Sequence, residues 1–153
     1  MLSTQQLDLA AVATKAALEM ESIAYEKCVT LETALPETCI LCGNTDYLQR
    51  IVSSLLENAL KYEPAGGRVQ LTLTQDKRKA QLSVQNSGSA IPAEDLPHVF
   101  DRFYRSDKSR KSESGSFGLG LAITKEMVEK LSGEISASSS AEDGTVFQVI
   151  LCR

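Results

Sequence analysis

Apolar residues at Leu7, Ala10, Ala11, Ala17, Leu18 and Ile23 recur at helical spacing in a stretch rich in Ala, Glu and Gln, which predicts an amphipathic helix over residues 7–25. Residues 1–6 lack that pattern and read as a linker. Residues 29–33 alternate as a strand does, Pro36 interrupts them, and residues 39–42 predict a second short strand ending at Gly43. Asn44 or Thr45 is placed to cap a helix that reaches about Tyr62 and is stopped by Pro64-Ala65-Gly66-Gly67. Residues 69–74 and 80–85 alternate again around the charged turn Asp76-Lys77-Arg78-Lys79, the pattern of a hairpin with one buried face.

Beyond Asn86 the pattern becomes irregular, with short helices expected at residues 93–96 and around 99–103. Residues 106–116 hold no apolar side chain, cannot anchor themselves in a core and are expected to form a mobile loop. A helix over about 119–131 follows, stopped by Ser132-Gly133. Strands at 134–138 and 145–151 close the chain, the second after the turn Glu142-Asp143-Gly144.

At 153 residues the chain is the size of one domain, large enough to bury a core without staples. A net charge of -4 and 5% aromatic residues argue against a general nucleic-acid binder, which needs an excess of Lys and Arg. No apolar run approaches the roughly 20 residues of a spanning helix and no basic-then-apolar leader is visible, so a soluble chain is expected. Cys28, Cys39, Cys42 and Cys152 include one Cys-x-x-Cys spacing. No second pair and no nearby histidine completes a metal site, so reduced, mostly buried thiols of a cytoplasmic protein are expected.

On the helix ending at Tyr62, Leu48, Ile51, Val52, Leu55, Leu56 and Ala59 form an apolar face, while Ser54, Asn58 and Lys61 share another. An Asn can give a neutral oxygen to a hard cation such as magnesium, and a Lys can neutralise phosphate oxygens. The same residues would equally make an ordinary solvated stripe. Residues 86–92 leave a strand into a loop whose small side chains let a flat ring lie on the backbone, and the Asn86 amide can accept from an exocyclic amine such as that of adenine. Taken alone, this is a turn. Gly118-Leu119-Gly120 opens a helix whose first amides lack internal partners, a place where an anion fits. The basic cluster Arg102, Arg105, Lys108, Arg110 and Lys111 is interleaved with Asp101, Asp107 and Glu113 and reads as a surface segment. His98 is expected to pack or to face solvent.

In this order and spacing the motifs resemble those of the catalytic ATP-binding domain of bacterial sensor histidine kinases, in the superfamily shared with DNA gyrase, the Hsp90 chaperones and MutL. The resemblance runs over about residues 7–151. It implies an α/β two-layer sandwich of the Bergerat type, a mixed sheet covered on one face by three helices. Residues 55–62 are similar to the N box, which implies that Asn58 binds magnesium and, with Lys61, carries the catalysis, while Tyr62 approaches the phosphates. Residues 86–91 stand in the place of the G1 box Asp-x-Gly-x-Gly-Ile, so that Asn86, Gly88 and Ile91 would meet the adenine. Residues 100–105 are similar to the F box, with Phe103 and Arg105 at the nucleotide, and residues 115–121 to the G2 box, with Gly118, Leu119, Gly120 and Leu121 at the phosphates. Residues 104–117 take the place of the ATP lid, and Thr145 belongs to a closing Gly-Thr-x-Phe element at 144–147.

Three positions depart from the family pattern: Asn86 for the aspartate, Ala90 for the second glycine of the G1 box, and Ser54 for a first Asn. The exchange at Asn86 replaces a charge-assisted bond to the adenine amine by a neutral one, a loss on the order of 1 kcal/mol. Ser54 also stands where the ATPases of the superfamily carry a glutamate base, and Glu57 is expected to point off that face. The resemblance therefore implies ATP and magnesium as cofactors and a protein-histidine kinase whose γ-phosphate goes to a histidine on a separate dimerisation domain of the same receptor. A response regulator would be an indirect partner. No nucleic acid and no membrane contact by this part are expected, and the chain would be the cytoplasmic portion of a membrane-anchored receptor. The alternative is a nucleotide-binding regulatory module with weak or no kinase activity.

Overall fold

Eighteen residues from Leu9 and eighteen from Thr45 form the two long helices, each buried along one stripe and polar along the other. The structure is a computed structural model and describes residues 3–88, 94–101 and 120–153. In chain order the elements are β1 (Gln5–Asp8), α1 (Leu9–Glu26), β2 (Thr30–Ala34), β3 (Ile40–Gly43), α2 (Thr45–Tyr62), β4 (Arg68–Gln75) and β5 (Lys79–Asn86). A single 3₁₀ turn follows at Leu96–His98, then α3 (Leu121–Lys130), β6 (Glu134–Ser140) and β7 (Gly144–Cys152).

Five strands make the main sheet in the order β2-β4-β5-β7-β6. The β2–β4 pair is parallel and the others are antiparallel, so the sheet is mixed, and three helices accompany it as the family resemblance implied. Register aligns Leu71, Val84 and Phe147 in one row and Leu73, Leu82 and Val149 in the next, all buried. The alternating partners Thr72, Ser83 and Gln148 stay half-buried on the other face. Leu9, Leu48, Ile51, Leu55, Leu56 and Leu121 from the helices complete the same core. Each such side chain contributes about 1.5–3 kcal/mol by leaving water.

The first helix starts later than its apolar spacing predicts. Leu7 and Asp8 belong to β1, which pairs antiparallel with β3 as a separate two-stranded ribbon, with Leu7 opposite Leu41. Leu7 satisfies both periods, and the competition is decided by Asp8, whose Oδ1 accepts from the Ala10 N–H at 3.0 Å and from the Cys39 N–H at 2.8 Å. One carboxylate thus caps α1 and ties the ribbon to it. Asp8→Ala is expected to lower stability by about 1–2 kcal/mol, seen as a lower urea midpoint at unchanged slope; an unshifted midpoint would count against it.

The expected helices at 93–96 and 99–103 are replaced, where described, by the 3₁₀ turn and a following turn at Val99 and Phe100. Pro97 removes a donor that a longer helix would need. The cysteines are all free, but only Cys39 is buried; Cys28, Cys42 and Cys152 are exposed, which corrects the expectation of mostly buried thiols. Cys42 alternates outward on β3 between buried Leu41 and Gly43, and burial pushes the Cys39 thiol up from its usual range. Among the described residues no helix is long and apolar enough to cross a membrane.

Candidate functional site

Asn44 caps α2 by accepting from the Tyr47 N–H at 2.9 Å, Asp46 lies in its first turn and Lys61 in its last, an arrangement that agrees with the helix dipole throughout. With the apolar face of α2 turned into the core, Ser54, Glu57, Asn58 and Lys61 line a cleft of about 220 Å³ together with Gly120 and Leu121. Glu57 was expected off this face. At about 100° per residue, however, Ser54 and Lys61 fall between Glu57 and Asn58, so all four share an arc of about 100°. The carboxylate is therefore at the cleft, and exposed there.

Asn58 is 9% exposed, and its Oδ1 is buried with no hydrogen-bond partner. It is the one such side-chain atom among the described residues. Buried polar atoms are almost always paired, since an unmade bond costs about 1–3 kcal/mol. A neutral oxygen left bare beside an exposed ammonium fits a hard cation that itself carries phosphate oxygens. Across the cleft, Gly120 precedes α3 with an ordinary helical φ of -56°, and a Cβ placed on it would meet nothing within 4 Å. Neither backbone strain nor packing against described residues explains the glycine, whereas room for a ligand would. The start of a helix is in general a place where backbone amides can take an anion.

At the other end of the site, Asn86 closes β5 at 4% exposure, opposite Thr145 of β7 and Val69 of β4. Gly144 holds φ +72°, and any Cβ on it would overlap the Asn86 carbonyl oxygen. Thr145 is 3% exposed, with its hydroxyl 3.2 Å from that of Ser139. Gly88 donates its N–H to Glu63, while Tyr62 is half-buried against the core. The structure thus gathers Asn58, Lys61, Gly120 and Leu121 around one cleft and puts Asn86, Gly88 and Thr145 around the end of β5. Ile91, Phe103, Arg105, Gly118 and Leu119 lie outside the described residues, as do Ala90, the expected lid at 104–117 and the basic cluster from Arg102 to Lys111.

His98 is half exposed, with Nδ1 2.8 Å from Asp101 Oδ2, a surface pairing of the kind expected. Phe100 stacks edge-on against Phe147 at 5.9 Å and carries the Lys125 ammonium 5.9 Å above its ring. Glu63, by contrast, was not anticipated at all. The signal available was an acid directly after the C-terminus of a helix, where the dipole disfavours it.

A family model described as "Histidine kinase-, DNA gyrase B-, and HSP90-like ATPase" matches residues 43–153. Sensor histidine kinase RppB of Synechocystis sp. is 39% identical over 109 residues, 71% of this chain and 24% of that protein. Among solved structures, the mycobacterial sensor histidine kinase MprB is similar with a TM-score of 0.81 at 29% identity, covering 98% of this chain and 97% of that one. Histidine kinase ThkA, solved in complex with response regulator protein TrrA, shares the fold at 20% identity and a TM-score of 0.81, over 97% of this chain and 41% of that one. The chain spans between 16% and 39% of the length of curated sensor kinases of this kind.

Proposed function

Because the chain belongs to the histidine kinase-, DNA gyrase B- and HSP90-like ATPase family, as a catalytic ATP-binding domain of the sensor histidine kinase type, we propose that it presents the γ-phosphate of ATP to a histidine on a separate dimerisation domain. The observation that carries this reading is the unpartnered Oδ1 of Asn58 in the cleft shared with Lys61 and Gly120.

In this reading Asn58 Oδ1 holds magnesium, which supplies charge neutralisation to the phosphate oxygens when bound. The Lys61 ammonium and the backbone amides near Gly120 balance the remaining phosphate charge. Asn86 accepts from the adenine amine, and Gly88 and Thr145 shape the pocket around the ring. Phosphoryl transfer asks the protein mainly for positioning and charge neutralisation, and these residues do both. Ser54, in the place of the glutamate base of the superfamily's ATPases, has no group to activate water. Glu57, though it lines the cleft, stands about 100° around the helix from Asn58 and is exposed, so in this reading ATP is kept for another nucleophile. His98, on the 3₁₀ turn, matches no phosphoacceptor motif and is not taken as that nucleophile. The acceptor therefore lies in another domain of a longer receptor, whose cytoplasmic portion has access to ATP, and the acceptor domain in turn serves a response regulator.

Calorimetric titration with ATP and magnesium, followed by incubation with the dimerisation domain, tests this. No binding at millimolar ATP would sink the reading. Binding without transfer to any histidine would favour a regulatory module, for which the neutral Asn86 is the specific observation. Asn86→Asp is expected to tighten ATP several-fold by restoring a charge-assisted acceptor worth about 1 kcal/mol, and an unchanged dissociation constant would refute that role.

A further inference from the structure

Glu63 follows the last residue of α2 at 4% exposure, and its position is electrostatically poor. Both the negative end of the helix dipole and the loss of water disfavour a carboxylate there. What offsets this is a set of donors. Oε2 accepts from the Arg68 N–H at 3.1 Å, the Ser87 hydroxyl at 2.9 Å and the Gly88 N–H at 3.0 Å, and Oε1 takes a second bond from Gly88 at 3.1 Å. The Arg68 guanidinium turns elsewhere, to Glu32 at 3.4 Å.

Space around the carboxylate is equally specific. A Cβ on Gly67 would overlap Oε2, and one on Gly88 would press against Oε2 at 3.1 Å and Pro64 Cγ at 3.2 Å. Two glycines therefore make room for one buried acid. Ser87 also donates its N–H to the Arg68 carbonyl at 2.9 Å, so the carboxylate sits where the β4–β5 ladder ends and the next loop begins.

We propose that Glu63 is a positioning residue of the nucleotide site, tying the phosphate end of α2 to the adenine end of β5. It stands two residues after Lys61 and bonds the residue two after Asn86, so it sets the spacing between the groups that meet the two ends of ATP. The assignment rests on the nucleotide reading above. Replacement of one acceptor oxygen by an NH₂ group leaves the volume intact and points donors at donors, which makes Glu63→Gln the informative variant.

Its amide exchange, followed by NMR without nucleotide, is expected to quicken about tenfold at Ser87 and Gly88. The dissociation constant for ATP should rise about tenfold, while that for magnesium tripolyphosphate, which reaches only the phosphate end, should stay within about twofold. Ser87→Ala, which removes one donor and keeps the carboxylate, should move ATP in the same direction by about threefold and guards against a Glu63→Gln protein that does not fold. Unchanged exchange at Gly88, or ATP and tripolyphosphate weakened in equal proportion, overturns the assignment. A wild-type chain that binds no ATP would overturn the nucleotide reading and this assignment with it, whatever the exchange shows.

Discussion

Asn58→Leu is expected to raise the melting temperature of the ligand-free domain and to cut phosphoryl transfer by about 10²–10³-fold, the usual cost of losing one pre-placed electrostatic stabiliser. The two effects share a cause. Oδ1 is buried and unpartnered, so in the absence of ligand it costs the fold about 1–3 kcal/mol, and leucine of similar shape removes that cost while extending the apolar face of α2. At about 2–4 °C per kcal/mol for a domain of this size, a rise of roughly 2–12 °C follows. Differential scanning calorimetry with and without magnesium ATP checks one half, and a transfer assay with a dimerisation domain the other. A melting temperature that falls, or transfer retained within threefold, would mean that Oδ1 is not reserved for a ligand.

Gly144→Ala should be the most damaging single methyl in the described part of the chain. Its φ of +72° costs an alanine about 1 kcal/mol, and the added Cβ would occupy the Asn86 carbonyl oxygen, which is backbone held in the ladder by β7. Relief of that overlap requires β5 and β7 to part where they pair Asn86 with Thr145, an overpacking cost of about 1–3 kcal/mol. Together these predict a loss of about 3 kcal/mol, or roughly 6–12 °C in melting temperature. Gly66 is the control. It has φ +89° but nothing within 4 Å of a Cβ, so Gly66→Ala should show the strain alone, about 1 kcal/mol. Equal losses at the two positions would refute the packing argument. Weaker ATP binding by a folded Gly144→Ala protein would further tie this contact to Asn86.

Much of this was legible because it is local. The Asn44 cap, the stripe of α2 and the stop at Pro64 act within one or two turns of chain, and they appear in the structure where the sequence places them. The β4–β5 hairpin has the same character: alternation over each strand and a charged turn between them. The start of α1 was misplaced because Asp8 is held by Cys39, thirty-one residues away, in a pairing no window around Leu7 contains. Glu57 lies about 100° around the helix from Asn58 and still reaches the cleft, because all four polar residues of the stripe define it.

By itself the sequence determined the elements from β2 to β5, the last helix and the two closing strands, together with the motifs by which the chain resembles its family, because each depends on short-range periodicity and on residue types at fixed spacing. The mixed sheet followed from the resemblance, and β1 was not visible. Only the tertiary structure decided that Asn58 keeps a bare oxygen, that Gly144 must be glycine and that Glu63 binds the end of β5. Whether a buried atom finds a partner, or a methyl finds space, depends on chain segments far apart in sequence, and the packed core alone brings those segments together.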